Sequence, residues 1–391
     1  IMDFDKIIER RNTHSSKWDK MEESYGISKV DGLPMHVAEM DFRPPNIIQD
    51  KLSRMHQHGF YGYFADYSDY HGAIHWWMKH RHNWDLGNST IFTTHGLVNG
   101  MALCVEALTQ SKDQIIMLTP MYHAFFSVLN ATDRVVREFP LTLKSGRYEL
   151  DFSSYEKQLT GNETMLIFCS PHNPGGRVWS IDELKQVADF CIKNNLILVC
   201  DEIHHDLIMP GYKHNVMATA APEIADHLVM LTANTKTFNI AGAHTGNVII
   251  KNPELSKKFE TRLKMLGHSP NALGIHMATA GYSPEGAEWL DNLIPYLEEN
   301  FKIFNSGINN IPGCKAIHAE GLYLAWVDFV GTGMSQEEVR KRIEKDAKIT
   351  TVYGTDMGKG GETFMRFNIA TQKSRVVEAV ERMQAAFKDL Q

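Results

Sequence analysis

The stretch Leu231-Thr-Ala-Asn-Thr-Lys-Thr-Phe-Asn-Ile-Ala-Gly242 sets Lys236 just beyond a short apolar run, and an earlier tetrad, Cys200-Asp-Glu-Ile203, sets Asp201 at the end of another. A lysine at one strand end and an aspartate at another are the pair that pyridoxal phosphate chemistry needs. The amine forms a Schiff base and the carboxylate keeps a proton on the pyridine nitrogen. Each residue also has an ordinary explanation: aspartate after a strand is a favoured helix N-cap, and a lysine there is commonly a solvated loop charge. An ionised carboxylate behind apolar residues is nevertheless costly to bury without a compensating cation. A Schiff-base lysine, for its part, needs a partly desolvated pocket that lowers its pKa.

Working outward, short apolar runs alternate with helical patterns from about residue 90 to 285. Strands are expected at Gln114-Ile-Ile-Met-Leu118, Met165-Leu-Ile-Phe-Cys169, Leu196-Ile-Leu-Val-Cys200, Leu228-Val-Met-Leu-Thr232 and Asn247-Val-Ile-Ile250. This alternation predicts an α/β fold with a mostly parallel sheet covered by helices on both faces. Ser180 and Glu183 form a capping box ahead of Leu184, Val187, Ala188, Cys191 and Ile192, which repeat at helical spacing. In such sheets ligands bind beyond the carboxyl ends of the strands, where Pro120-Met-Tyr122, Ser170-Pro-His-Asn173, Asp201 and Lys236 all fall.

The C-terminal part has a different texture. A long helical stretch follows Pro284 and Pro295, then a strand over Leu322-Tyr-Leu-Ala-Trp-Val-Asp-Phe329. A capped helix starts at Ser335 with Glu338, and a final helix is marked by Val376, Val380, Met383, Phe387 and Leu390. The expected division is an arm over residues 1–45, a large cofactor-binding domain over 46–285 and a smaller α+β domain over 286–391.

With 391 residues, 43% hydrophobic and 22% charged, the chain can bury a large core. It is expected to form two lobes, since single cores rarely grow past about 250 to 300 residues. A formal charge of −7 and a pI near 6.3 without clustered Lys and Arg exclude a nucleic-acid surface as the main purpose. The start lacks a basic region followed by an apolar core, and no window approaches the roughly 18 apolar residues of a membrane span, so a cytoplasmic protein with no membrane partner is expected. Ile1 ahead of Met2 is expected to be foreign to the natural chain. Cys104, Cys169, Cys191, Cys200 and Cys314 sit mostly in apolar runs without paired spacing and are expected to be reduced thiols. His75, His80 and His82 cluster near Trp76, Trp77 and Trp84, but no metal-binding spacing accompanies them, so no metal site is expected. A plain nucleotide-binding module is disfavoured because no Gly-x-Gly-x-x-Gly follows a strand and opens a helix.

Four further positions carry chemistry. Asn173, in Ser170-Pro-His-Asn-Pro-Gly-Gly176, can hydrogen-bond a phenolate oxygen, with the glycines allowing close backbone approach; the alternative is a plain turn. Thr94-His-Gly-Leu-Val-Asn99 follows a strand-like run and opens a helix, so free N–H groups at Gly96 and Leu97 can hold a phosphate. Tyr122 can stack on a ring or simply pack. Arg366, in Phe364-Met-Arg-Phe-Asn368, suits bidentate capture of an α-carboxylate, the alternative being an outward residue of an edge strand.

The strings Cys169-Ser-Pro-His-Asn-Pro-Gly-Gly-Arg-Val-Trp179, Asp201-Glu-Ile-His-His-Asp206, Thr235-Lys-Thr-Phe-Asn-Ile-Ala-Gly242 and Arg366-Phe-Asn368 resemble the MalY/PatB group of cystathionine β-lyases, as do Lys17-Trp-Asp19, Ala38-Glu-Met-Asp-Phe42 and Gly59-Phe-Tyr-Gly-Tyr63. These are fold type I pyridoxal phosphate enzymes related to aspartate aminotransferase, and the resemblance covers essentially the full chain. It implies pyridoxal 5'-phosphate as cofactor, Lys236 as Schiff-base lysine and proton carrier, Asp201 at the pyridine nitrogen, Tyr122 stacked on the ring and Asn173 on the phenolate oxygen. It implies Arg366, Asn173 and Ala38 at the substrate. Tyr63 would reach the phosphate of a neighbouring subunit, making a homodimer with shared active sites in which the arm takes part. Ala233 lacks the serine hydroxyl that aminotransferases place before the lysine, and His244 stands where many of them carry a phosphate-binding Arg. Phosphate anchoring is therefore expected to lean on Gly96, Leu97, Thr235 and Tyr63. The implied activity is α,β-elimination of sulfur amino acids: L-cystathionine to homocysteine, pyruvate and ammonia, and L-cysteine to sulfide. An aminotransferase would use nearly the same residues. A regulatory protein partner is a further implication, because one member of the group also restrains a transcription activator.

Overall fold

The computed structural model describes residues 2–391, so Ile1 lies outside the described residues. The five expected runs, the strand-like run at Ile91 and a segment not expected from the sequence, Val135–Pro140, form seven strands, β1 Thr90–Thr94, β2 Gln114–Thr119, β3 Val135–Pro140, β4 Glu163–Cys169, β5 Ile197–Asp201, β6 Leu228–Thr232 and β7 Gly246–Ile250, in the order β1-β7-β6-β5-β4-β2-β3. β7 runs antiparallel to both of its neighbours, whereas every other pair is parallel. Because β7 reverses twice, β1 keeps the direction of β2 to β6, and the carboxyl ends of all these strands share one edge. Period-2 alternation divides the side chains between two layers. Ile115, Met117, Met165, Ile167, Val199 and Leu231 pack with Leu97 and Met101 on one face, while Ile116, Leu118, Leu166, Phe168, Leu198 and Met230 join the larger core on the other.

Local signals account for the helices that position this edge. α1 Leu97–Leu108 starts at Gly96, which is held at φ +93°. α2 Ile181–Lys193 carries the full capping box, with Ser180 accepting from the Glu183 N–H and Glu183 reaching back to the Ser180 N–H. α3 Pro284–Asn309 begins with proline at its first position, where the missing N–H costs nothing, and continues through Pro295.

The smaller sheet is antiparallel, with β8 Lys315–Ala316, β9 Leu324–Asp328, β10 Val352–Tyr353 and β11 Phe364–Asn368 in the order β8-β9-β11-β10. The strand expected from Leu322 is thus shorter at both ends. The helix capped by Ser335 is Gln336–Lys341 and runs on into a π-helical turn, Arg342–Asp346. The final helix, α4 Lys373–Ala386, packs on α3. Gly307 permits that approach, since a Cβ there would lie 2.2 Å from Val380. No helix among the described residues is long and apolar enough to cross a membrane.

The N-terminal arm folds onto the small lobe, Leu33–Pro34 pairing in parallel with Ile349–Thr350. Its anchor is Asp41, which accepts from Lys17 Nζ at 2.9 Å, Trp18 Nε1 at 2.9 Å and Arg10 Nη1 at 2.8 Å. The side chains of Lys17 and Asp41 are each only 1% exposed. Burial works against ionisation of Asp41, but the charge and hydrogen bond of Lys17 and the Trp18 bond outweigh it and lower the carboxyl pKa. The interaction therefore stabilises the fold above the ordinary carboxylate range and is lost as pH falls below it. Asp41→Ala strands a buried ammonium and is expected to lower the unfolding free energy by about 3 to 5 kcal/mol. Replacing both partners, Lys17→Met with Asp41→Leu, should recover much of that loss. Urea denaturation midpoints check both, and a loss below about 1 kcal/mol in Asp41→Ala, the range of a surface pair, would show that this pair does not hold the arm.

Candidate active site

Lys236 lies in the turn after β6, where its Nζ donates to the Ala38 carbonyl. The loop that carries Ala38 is clamped from both lobes. Asn239 Nδ2 donates to the carbonyls of Met40 at 3.0 Å and Phe42 at 2.7 Å, and Asn368 Nδ2 donates to those of Val37 at 2.7 Å and Glu39 at 2.6 Å. Tyr323 Oη donates to the same Ala38 carbonyl at 2.8 Å. Burial and the nearby Arg366 charge push the Lys236 amine down to about 8, against the opposing pull of Glu39 and Asp201.

Asp201 is the last residue of β5 and is buried. It caps no helix. Its Oδ1 accepts from the Ile203 N–H at 3.1 Å, and its other oxygen has no partner among the described residues. Burial, aided by the charge of Glu202, pushes its carboxyl up to about 7, against the Ile203 bond and the Lys236 charge. The Ser170 N–H donates to the Asp201 carbonyl at 2.9 Å, which seats the Asn173 loop beside it.

Asn173 is buried and its Oδ1 accepts from Arg366 Nη1 at 3.1 Å. Arg366 Nη2 donates to the His36 carbonyl at 3.2 Å. β11 lies between β9 and β10, so Arg366 belongs to an interior strand rather than an edge, and it is 2% exposed. No carboxylate pairs with it among the described residues, and burial lowers its pKa to about 10. A buried guanidinium held only by neutral oxygens is a site for an anion.

Tyr122 precedes the helix His123–Ala131 and is half-buried, its ring edge-on to His123 and Phe125 at 5.0 and 5.2 Å. Gly96 and Leu97 stand on the same edge, with the first-turn N–H groups of α1 left unpaired by the helix itself. A Cβ on Gly96 would meet nothing within 4 Å, so its backbone angle, not crowding, calls for glycine. Thr235 is buried next to Lys236 and makes no side-chain hydrogen bond among the described residues. His244 is exposed. Tyr63 is the expected residue that this chain does not bring to the site: it is 104% exposed, on a segment with exposed Phe60 and Tyr61. The close approach expected of the Asn-Pro-Gly-Gly turn also has another target. A Cβ on Gly176 would lie 2.8 Å from the Gly321 carbonyl, so the turn serves contact with the small lobe.

Sequence reasoning gave no role to Tyr323, Asn239, Asn368 or His36. Asn239 and Asn368 sit inside quoted motif strings, but their task of clamping a distant loop leaves no local pattern. A groove of about 1800 Å³ lined by Arg10, Glu39, Asp41 and Asn239 borders this loop, yet Lys236 and Asp201 are not in its wall. The chemistry therefore lies with the buried cluster. A half-buried amine of lowered pKa, close enough to a buried carboxylate and an unpaired arginine to feel both charges, can hold an anionic substrate and move a proton.

The sequence model for aminotransferase class I and II matches residues 34–383. The chain is similar to cystathionine beta-lyase PatB of Bacillus subtilis (strain 168), with 36% identity over 388 residues, covering 98% of this chain and 100% of that protein. Among solved structures, cystalysin from Treponema denticola, which contains a pyridoxal 5'-phosphate cofactor, superposes with a TM-score of 0.95 at 36% identity, covering 100% of both chains. The PLP-bound C-S lyase from Staphylococcus hominis gives a TM-score of 0.91 at 28% identity, covering 99% of this chain and 98% of that one.

Protonated below its pKa and nucleophilic above it, Lys236 in the cofactor-free protein should react with an amine-directed acylating probe at a half-maximal rate near pH 8. An ordinary lysine titrates near 10.4. Arg366→Ala should shift the midpoint upward, because it removes a positive charge that lowers the pKa. Peptide mass spectrometry of the labelled site checks this, and an unshifted midpoint near 10 would contradict it.

Proposed function

The chain belongs to the class I and II aminotransferase family, and on that premise we propose that it is a pyridoxal-phosphate-dependent carbon–sulfur lyase. With water, L-cystathionine would give homocysteine, pyruvate and ammonia, and L-cysteine would give sulfide in place of homocysteine. The observation that carries this reading is the convergence of Lys236, Asp201 and Arg366 at one edge of the large sheet.

The donor set fits the cofactor. Asp201 has a carboxylate oxygen without a partner, suited to a cationic ring nitrogen. The N–H groups at Gly96 and Leu97 and the Thr235 hydroxyl suit an anionic phosphate. When bound, pyridoxal phosphate supplies an aldehyde that condenses with amines and a protonated ring that accepts electrons from the substrate α-carbon.

The remaining steps fall to side chains. Lys236, with its depressed pKa, takes the α-proton, and the Ala38 carbonyl, itself held by the Tyr323 hydroxyl, keeps its amine in place. Arg366 would take the substrate α-carboxylate in a forked contact that Asn173 orients, and Asn173 would also be a partner for the cofactor's phenolate oxygen. Tyr122 would pack against the cofactor ring. Asp201 would hold the cofactor's ring nitrogen in its protonated form, the electron-accepting chemistry that lets the β-thiolate leave.

The same reading makes the active unit a homodimer. Tyr63 is fully exposed beside Phe60 and Tyr61, an arrangement suited to reaching the phosphate site of a second copy. Residues 46–285 would form the cofactor-binding domain, 286–391 the small domain and 1–45 the arm. The five free cysteines are all buried and fit a reducing compartment, so the proposal places the protein in the cytoplasm.

Thiol and pyruvate should appear in equal amounts from L-cystathionine. Lys236→Ala is expected to lower that rate by roughly 10² to 10⁴-fold or more. Arg366→Lys, which keeps the charge but loses the fork, should cost about ten- to a hundredfold in kcat/KM. Full activity in Lys236→Ala would remove the assignment. Turnover that needs an added α-keto acid, without pyruvate release from the substrate, would make the protein an aminotransferase.

A further inference from the structure

The turn that follows Asp201 buries a second polar cluster of histidines and carboxylates outside the Lys236 site. His205 has a side chain that is 0% exposed, and neither of its ring nitrogens has a hydrogen-bond partner. Its Nε2 is 3.3 Å from Asp206 Oδ2 but lacks hydrogen-bond alignment. A fully buried imidazole with Nδ1 unpartnered and Nε2 held only in an ion-pair contact with Asp206 is costly, and a native structure rarely leaves one without a purpose. Glu202, equally buried, meets His214 Nε2 at 2.6 Å through Oε1, while its Oε2 accepts from the Met217 N–H at 3.0 Å. Ligand atoms of Glu202, His205 and His214 all lie within 4.8 Å of one another. The rings of His205 and His214 stand 5.7 Å apart at 70°, so their nitrogens can point at a common centre without stacking.

A second grouping, His82, His205 and Asp206, meets the same distance limit but is already spent. Asp206 accepts from His82 at 2.7 Å, Trp77 at 3.0 Å and Thr237 at 2.8 Å. His82 also stacks on His205 at 4.2 Å, a poor arrangement for two ligands of one ion. A cavity of about 430 Å³ includes His205 and His214 in its wall and extends to exposed Tyr212 and Lys213, which supplies an entry path and room for a further ligand.

We propose that Glu202, His205 and His214 bind a divalent transition-metal ion of the zinc class. Two imidazole nitrogens and one carboxylate oxygen are a donor set that such ions take, with a fourth position left to water from the cavity. Around a tetrahedral ion with bonds of about 2.0 to 2.1 Å, ligand atoms sit roughly 3.3 Å apart. The Glu202–His214 contact therefore needs to open by less than an ångström. Binding through Nδ1 releases any proton held on the ligating nitrogens and leaves Nε2 facing Asp206 at 3.3 Å, outside the ion. The ion would tie the turn after β5, which carries Asp201, to the loop that leads towards β6.

The test uses the cofactor-loaded enzyme, stripped of metal with a chelator and titrated with Co²⁺ alone and then Zn²⁺. The expected result is about one ion per chain, visible Co²⁺ bands of a four-coordinate site that Zn²⁺ abolishes, and an anomalous peak between His205 and His214 in crystals soaked with Zn²⁺. His205→Ala and His214→Asn should lose the bands and the stoichiometric ion, whereas His80→Ala, on the same cavity wall, should keep both. Glu202→Gln, which retains the side-chain shape, stands in for either histidine variant that fails to fold. Absence of the bands and of the peak in the wild-type protein overturns the proposal, as does unchanged binding in the folded ligand variants.

Discussion

The Ala38 carbonyl is the atom on which the site's geometry turns, because it accepts from Lys236 Nζ and from Tyr323 Oη at once. One oxygen thereby joins the arm, the large sheet and the small lobe. The loop that presents it has no regular structure of its own and depends on borrowed hydrogen bonds. Asn239 supplies them from the large sheet, Asn368 from β11, and the Lys17–Asp41 pair anchors the loop's far end. The site exists only when both lobes and the arm are assembled, which fits the placement of catalytic groups on loops held by a rigid scaffold.

Desolvation is the common electrostatic theme. Burial pushes Asp201 up to about 7, Lys236 down to about 8 and Arg366 down to about 10. Each shift is the same physical statement, that a charge removed from water is unstable until an opposite charge arrives. The three residues present complementary demands: a cation near Asp201, an anion near Arg366 and an electrophile near Lys236. A ligand that brings a cationic ring, a carboxylate and an aldehyde meets all three together, so its binding energy is concentrated where the chemistry takes place. The buried histidine cluster beyond Asp201 shows the same logic, since a nitrogen without a partner is a demand for a donor or an ion.

Much of this architecture was legible because its causes are local. The inner strands β2 and β4 to β7 are buried on both faces and so read as continuous apolar runs, whereas the half-exposed edge strand β3, with its charged Arg137 and Glu138, did not; the Ser180–Glu183 capping box marked the start of α2 to the residue. Gly96 before α1 carried little meaning by itself, because glycine is an ordinary N-cap, and gained weight only from its place after a strand on the same edge as Asp201 and Lys236. What did not show was anything set by pairing at a distance. The reversed direction of β7, the interior position of β11 and the target of Gly176 all depend on which segment lies alongside. The π-helical turn after Lys341 carries no compositional mark. Glu202, His205 and His214 have no metal-binding spacing, and only the fold brings His214 to the other two.

The sequence by itself therefore determined the class of fold, the polarity of the sheet edge and the identity of Lys236, Asp201, Asn173 and Arg366 as the residues to watch. Those features follow from periodicity, capping and the cost of burying charge, all of which act within a few residues. Tertiary structure alone decided that Lys236 rests on Ala38, that Arg366 is held by Asn173 and His36 with no acid beside it, and that Tyr63 is fully exposed on its own chain. Hydrogen bonds and desolvation between distant segments have no sequence period, and they acquire their strength only after the chain has removed water from around them.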